Sequence, residues 1–112
     1  MASLVPELLG KPVLGLDTET TGLDPFMDRL RLVQLAVPDG PVYPIDCFAA
    51  DPRLLAPLFA APNGPTLVGH NLTFDLRFLI QAGLPIPPCR WLFDTMLAVQ
   101  VLDGTGRQLS LA

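Results

Sequence analysis

The chain changes hydrophobic period several times, and each change marks an element. Val13 to Asp17 is a short apolar run ending in a carboxylate, the pattern of a buried strand, and Gly22 and Asp24-Pro25 turn the chain after it. Leu30 to Val37 alternates, with Leu30, Leu32, Gln34 and Ala36 on one face and Arg31, Val33, Leu35 and Val37 on the other. It predicts a strand with an apolar majority on both sides, ended by Pro38-Asp39-Gly40. Pro41 to Asp46 predicts a third strand, with Pro44 marking an edge or a bulge. The connections are short enough for an antiparallel meander.

Helical spacing then takes over. Asp51 caps a short helix through Leu54, Leu55, Leu58 and Phe59, with Pro52 in its first turn and Pro57 kinking or shortening it. Thr66 to Gly69 predicts a brief strand. Asn71 is an N-cap candidate for a helix through Ala82, stopped by Gly83, with Leu72, Leu76, Leu79 and Ile80 on its core face. A short strand near Arg90 to Phe93 leads to Asp94, and Thr95 to Leu102 predicts a last helix closed by Asp103-Gly104. Three strands followed by helix and strand units give an α/β fold with a mixed sheet, a single domain over residues 1–112. Gln108 to Ala112 reads as the opening of a further helix, so the domain is expected to be C-terminally incomplete.

Composition narrows the function classes. Half the residues are apolar, which supports a core and excludes a disordered chain. Charged residues, Gly and Pro interrupt every apolar stretch before the roughly 18 to 20 residues of a membrane span. Met1 to Glu7 lacks the basic and apolar regions of a cleaved signal peptide. Cys47 and Cys89 have no metal-binding spacing and read as reduced thiols, so a cytoplasmic location is expected. The net charge of −4 argues against tight duplex binding. It leaves room for an enzyme that grips one strand end and offsets clustered acids with bound cations.

The candidate chemistry begins at Asp17-Thr18-Glu19. Residues two apart on a strand point the same way, so Asp17 and Glu19 project together while Thr18 faces elsewhere. Two adjacent carboxylates need compensation if both stay ionised, and a hard divalent cation with oxygen ligands supplies it. The alternative is a pair of solvated turn acids before Thr20-Thr21-Gly22. In the second element, Gly69 to Asp75, helical spacing puts Asn71, Phe74, Asp75 and Phe78 on one face, with Asp75 in the first turn. Here the alternative is a capping amide and an acid that compensates the helix dipole.

Together the two elements resemble a known family. Val13-Leu14-Gly15-Leu16-Asp17-Thr18-Glu19-Thr20-Thr21-Gly22-Leu23 looks like the first motif of the DEDD (DnaQ-like) superfamily of 3′-5′ exonucleases, and Leu67 to Asp75 looks like the second. Arg90 to Leu102, centred on Phe93-Asp94-Thr95-Met96-Leu97, is similar to a segment of the proofreading domain of family A DNA polymerases and of RNase D-like enzymes. The resemblance implies a ribonuclease H-like fold and hydrolysis of the terminal phosphodiester with release of nucleoside monophosphates. It implies two divalent cations, Mg²⁺ or Mn²⁺, on Asp17, Glu19 and Asp75, which serve as the catalytic residues. Thr20, Leu23, Asn71 and Phe74 match positions that contact the substrate, the 3′ end of a single strand of DNA or RNA. The remainder of a polymerase or exonuclease chain is the implied protein partner, and no membrane is involved.

The sequence departs from the family at one place. A fourth acid, carried in a late Tyr-x-x-x-Asp or His-x-x-x-x-Asp motif, is absent from these 112 residues. Tyr43 and His70 both precede Asp75; Asp94 reads as a helix cap and His70 as a structural residue. Weak activity is therefore expected, and a catalytically impaired nucleic-acid-binding or scaffolding fragment is the alternative function. A phosphatase of the haloacid-dehalogenase type also puts acids after an apolar strand. It needs a second Asp and a downstream Lys, whereas Glu19 is a Glu and Lys11 lies upstream.

Overall fold

The computed structural model describes residues 4–61, 63–87 and 91–103. Its elements, in chain order, are α1 (Leu4–Leu9), β1 (Val13–Thr20), β2 (Leu30–Ala36) and β3 (Val42–Asp46). A 3₁₀ turn (Pro52–Leu55) runs into α2 (Ala56–Ala60), and β4 (Thr66–Gly69), α3 (Leu72–Gln81), β5 (Leu92–Asp94) and α4 (Thr95–Asp103) follow. The five strands form one sheet in the order β3-β2-β1-β4-β5. The β1–β2 and β2–β3 pairs are antiparallel, and the β1–β4 and β4–β5 pairs are parallel. The mixed sheet and its opening meander agree with the sequence pattern. Pro44 sits on β3, at the sheet edge, opposite Gln34. Its missing N–H therefore breaks no interior ladder.

One sheet face carries the core. Leu14 and Leu16 of β1, Val33 and Leu35 of β2, Ile45 of β3 and Leu67 of β4 are buried together with Leu8, Leu58, Phe59, Phe78 and Leu79 from the helices. Leu30 joins them although strict alternation would place it on the opposite face. A register shift explains it: Glu19 pairs with Leu32 and Thr20 with Leu30, so Arg31 is the extra residue of a bulge. The bulge returns Leu30 to the core and turns Arg31 outward.

Helix α1 was not expected from the pattern; it is short, buries Val5 and Leu8 and tolerates Pro6 in its first turn. The phase of α3 also differs from expectation. Its buried residues are Leu72, Asp75, Phe78 and Leu79, while Leu76 is partly buried and Ile80 is exposed. An acid occupies a row of the helix that propensity assigns to an apolar residue. The 3₁₀ turn is capped as expected, with Asp51 accepting from the Arg53 N–H at 2.9 Å and Pro52 at its start. Part of the expected strand near Arg90, the thiol of Cys89, the stop at Gly104 and the segment 108–112 lie outside the described residues.

Two features fix where the sheet ends. β1 pairs with β4 only through Gly15 and Val68, so Asp17 to Thr20 run on past the end of β4. Gly69 then brings α3 close to β1: a Cβ there would lie 2.8 Å from the Leu16 carbonyl oxygen and 2.5 Å from the Leu72 side chain. Any larger residue would push the head of α3 away from β1. The crevice outside the carboxyl ends of β1 and β4 is where open α/β sheets bind their ligands.

Candidate active site

Asp75 is the buried charged residue of the core, with 4% of its surface exposed. It sits in the first turn of α3 and accepts a hydrogen bond from the Thr18 hydroxyl of β1. That bond explains the phase of α3, because Thr18 faces the core side of β1 and needs a buried partner. Burial is the largest influence on the Asp75 carboxyl and raises its pKa. Hydrogen bonding from Thr18 opposes the rise, and the charges of Asp17 and Asp94 add to it, leaving the pKa at about 6. Asp17 adjoins Thr18, the hydrogen-bond partner of Asp75, so the two acids lie at one end of β1. Asp17 itself is exposed and opens, beside Gly15, Gln34 and His70, onto a cleft of about 530 Å³ on the second face of the sheet.

Glu19 shares the side of β1 that carries Asp17, as the alternation requires. Its carboxylate is engaged by Arg31 in a half-exposed ion pair. Among the described residues no three His, Cys, Asp or Glu side chains stand close enough together to share a metal ion. The three expected metal ligands are thus arranged as a coupled pair, Asp17 and Asp75, and a third acid held by the bulge arginine.

Asp94 fixes the head of α3. One carboxylate oxygen accepts from the Asn71 and Met96 N–H groups, both at 2.9 Å, and the other accepts from Leu72 N–H at 2.8 Å. The expected cap of α4 therefore caps α3 as well. Partial burial raises the Asp94 pKa, but the N–H donors of Leu72, Asn71, Met96 and Leu97 outweigh it and hold the carboxyl below its ordinary range. Asn71 makes no side-chain cap. It adopts the left-handed conformation (φ 59°, ψ 55°), which Asn tolerates better than most residues, and leaves capping to Asp94. Thr95 ties the same corner, donating to Gly69 O at 3.2 Å. Its hydroxyl also lies 3.0 Å from His70 Nδ1.

The expected substrate residues also gather. Leu23, Asn71 and Phe74 line a small cleft of about 170 Å³ together with Thr73 and Arg77. Phe74 is braced by Phe78, with ring centroids 5.1 Å apart. Thr20 is set differently: its hydroxyl donates to Gly22 O at 2.6 Å and shapes the turn leading to Leu23. The sequence reading missed Thr18, Arg31 and the reach of Asp94 to α3. The first had a signal, since a Thr between two carboxylates on a strand must face the core side. The others depend on a bulge and on a contact between distant segments.

The 3′-5′ exonuclease family model matches residues 1–112. The chain belongs to the 3′-5′ exonuclease domain family. DNA polymerase I of Aquifex aeolicus (strain VF5) is 40% identical over 106 residues, covering 95% of this chain and 17% of the polymerase. Among solved structures, Brucella melitensis NrnC superposes with a TM-score of 0.72 at 31% identity, over 89% of this chain and 49% of NrnC. The catalytic core of RRP6 from Trypanosoma brucei gives a TM-score of 0.77 at 30% identity, over 91% of this chain and 28% of that one. The chain thus spans about half the length of NrnC and a smaller share of the others. These neighbours share the ribonuclease H-like fold expected from the motifs. NrnC has been solved with bound Mg²⁺ and bound to pGG. Among the described residues of this exonuclease domain no helix is long and apolar enough to cross a membrane.

Proposed function

We propose that the chain hydrolyses the terminal phosphodiester of single-stranded or frayed nucleic acid from the 3′ end, releasing nucleoside monophosphates with the help of two divalent cations. The observation that carries this reading is the buried Asp75, aimed at β1 and coupled to the charge of Asp17. A carboxylate so placed without a cation is costly to ionise, and a divalent cation with oxygen ligands removes that cost. Asp17 and Asp75 would supply two of its donors, and Glu19 would complete the set only on leaving Arg31. The Mg²⁺ found in NrnC supports the choice of metal, and its complex with pGG supports a nucleic-acid 3′ end as ligand. Bound by Asp17, Glu19 and Asp75, such cations would activate water at neutral pH and stabilise the charge that develops on the leaving 3′ oxygen.

The chain's own residues have the other tasks. Leu23, Asn71 and Phe74 hold the terminal nucleotide, Leu23 by apolar contact with the last base and Phe74 by an aromatic face. Such contacts need little base-edge readout, so sequence preference is weak. Thr20 and Gly22 set the turn that presents Leu23, and Thr18 orients the Asp75 carboxylate. Remaining in the cytoplasm and acting within a larger polymerase or exonuclease assembly are part of the same proposal.

A second reading, a catalytically impaired nucleic-acid-binding or scaffolding domain, is favoured by Glu19 being held by Arg31 instead of standing with Asp17 and Asp75. Both readings predict metal binding; cleavage separates them. In calorimetry, Mg²⁺ should bind the wild-type chain, fail to bind Asp17→Ala, and bind Arg31→Ala about two- to fivefold tighter, since an exposed ion pair is worth up to about 1 kcal/mol. With a 5′-labelled single strand and Mn²⁺, slow shortening by single nucleotides from the 3′ end, absent in Asp17→Ala, supports the exonuclease. Metal binding without any shortening supports the second reading, and absence of metal binding contradicts both.

A further inference from the structure

Leu23 belongs to a loop that packing does not hold. From Thr21 to Arg29 the chain has neither helix nor strand, and Leu23 is 84%, Phe26 79% and Met27 81% exposed. Two hollows adjoin it, one of about 760 Å³ bordered by Leu23, Phe26 and α3, and one of about 240 Å³ bordered by Asp28, Arg29 and Cys47. A segment with so little buried apolar contact opens easily unless something else fixes it.

Hydrogen bonds fix it, and they converge on Asp28. The base of the loop closes through Thr21 N–H to Arg29 O at 3.0 Å and Arg29 N–H to the Thr21 hydroxyl at 2.9 Å. Arg29 in turn lies over the Phe48 ring at 4.5 Å, which ties the base to the chain after β3. Inside the loop, Asp28 and Asp24 are joined twice. The Asp28 N–H donates to Asp24 O at 2.7 Å, and the Asp28 carboxylate accepts from the Asp24 N–H at 3.0 Å. The Asp24 carboxylate then accepts the Phe26 N–H at 2.9 Å.

The same Asp28 carboxylate lies against Gly22, where a Cβ would fall 2.3 Å from its Oδ2. Gly22 O accepts the Thr20 hydroxyl at 2.6 Å, so this residue is held from two sides. Leu23 therefore stands between two residues that Asp28 keeps in place, Gly22 before it and Asp24 after it.

We propose that Asp28 is a positioning residue for the terminal nucleotide: its carboxylate fixes Gly22 and Asp24 and so presents Leu23 to the last base before substrate arrives. The proposal rests on the exonuclease reading above and adds to it a residue that touches neither cation nor nucleotide. A loop already in its bound shape loses less freedom on binding, which favours affinity. Charge alone would act the other way, because a carboxylate repels an anionic ligand. The two effects differ in sign.

Calorimetry with deoxyadenosine 5′-monophosphate in saturating Mg²⁺, run over a double-mutant cycle, tests it. Asp28→Ala and Leu23→Ala should each weaken binding about three- to tenfold. The double variant should bind no more weakly than Leu23→Ala, because Asp28 acts through Leu23. Asp28→Asn keeps an acceptor for the Asp24 N–H and should stay within about twofold of wild type. Gly22→Ala should act like Asp28→Ala, since its Cβ displaces the same carboxylate, and it carries the test if Asp28→Ala melts early. Mg²⁺ affinity should be the same in Asp28→Ala as in wild type. Tighter or unchanged nucleotide binding by Asp28→Ala overturns the proposal, and so do additive losses in the double variant. If Leu23→Ala binds like wild type while binding still needs Asp17, the positioning role is wrong and the exonuclease reading stands. If the monophosphate binds no better with Mg²⁺ than without it and Asp17→Ala changes nothing, both fail.

Discussion

Replacing Asp75 by Asn should make the metal-free domain more stable near pH 8 while removing its response to Mg²⁺. The folded Asp75 carboxyl has a pKa of about 6 against an ordinary 3.8. The folded state therefore holds the proton more tightly than the unfolded chain. The stability this contributes is fully present below about pH 3.8 and is lost as pH rises through about 6. A shift of that size corresponds to about 3 kcal/mol of destabilisation when the carboxylate is ionised. Asn keeps an acceptor for the Thr18 hydroxyl and removes the charge, but its amide needs a buried partner. The expected net gain is about 1 to 3 kcal/mol near pH 8, falling away near pH 4. In Mg²⁺ the order reverses: the wild type gains stability by linkage and the variant does not. Denaturant melts across pH, with and without Mg²⁺, check both halves. A variant less stable than wild type near pH 8 would contradict the assigned electrostatics.

Asp94→Ala should be the costliest single change near the site. The carboxylate satisfies donors at the starts of two helices, Asn71 and Leu72 on one side and Met96 on the other. One lost N-cap costs about 0.5 to 2 kcal/mol, and hydrogen bonds to a charged group are worth more than neutral ones. For two helix starts a loss of about 2 to 4 kcal/mol is expected. Because the carboxyl is held below its ordinary range, the stability it provides is present above the unfolded pKa and lost as pH falls through the folded one. Asp94→Ala should therefore lose little further stability in strong acid, where the wild type has already lost this contribution. Since α3 carries Asp75, Mg²⁺ binding should also weaken. The check is a melt paired with Mg²⁺ calorimetry; a loss within about 0.5 kcal/mol would show that α3 is positioned by other contacts.

The carboxylate motif was legible because it obeys strand alternation at the end of an apolar run. Asp17 and Glu19 do share one side of β1, and Asp75 does reach that strand. Legibility failed where one residue's position depends on a distant partner. Leu30 follows from a bulge at Arg31, a register event that no run of apolar residues reveals. Ile80 was placed in the core because it is apolar, whereas the Thr18–Asp75 bond turns α3 so that Asp75 takes a core position instead. Asn71 has the composition of a cap, yet Asp94, more than twenty positions later, performs that task. α1 is too short for a period to show. Helical spacing put Asn71 and Phe74 on one face, Leu23 was added through the family motif, and the three line one cleft.

A Mg²⁺ titration followed by carboxyl ¹³C NMR of Asp- and Glu-labelled protein addresses the shared-cation claim directly. The resonances of Asp17, Glu19 and Asp75 should move along common saturating curves, with the Asp75 pKa falling well below about 6 as the cation binds. Movement of Asp17 and Glu19 alone, with Asp75 still titrating near 6 in saturating Mg²⁺, would contradict it.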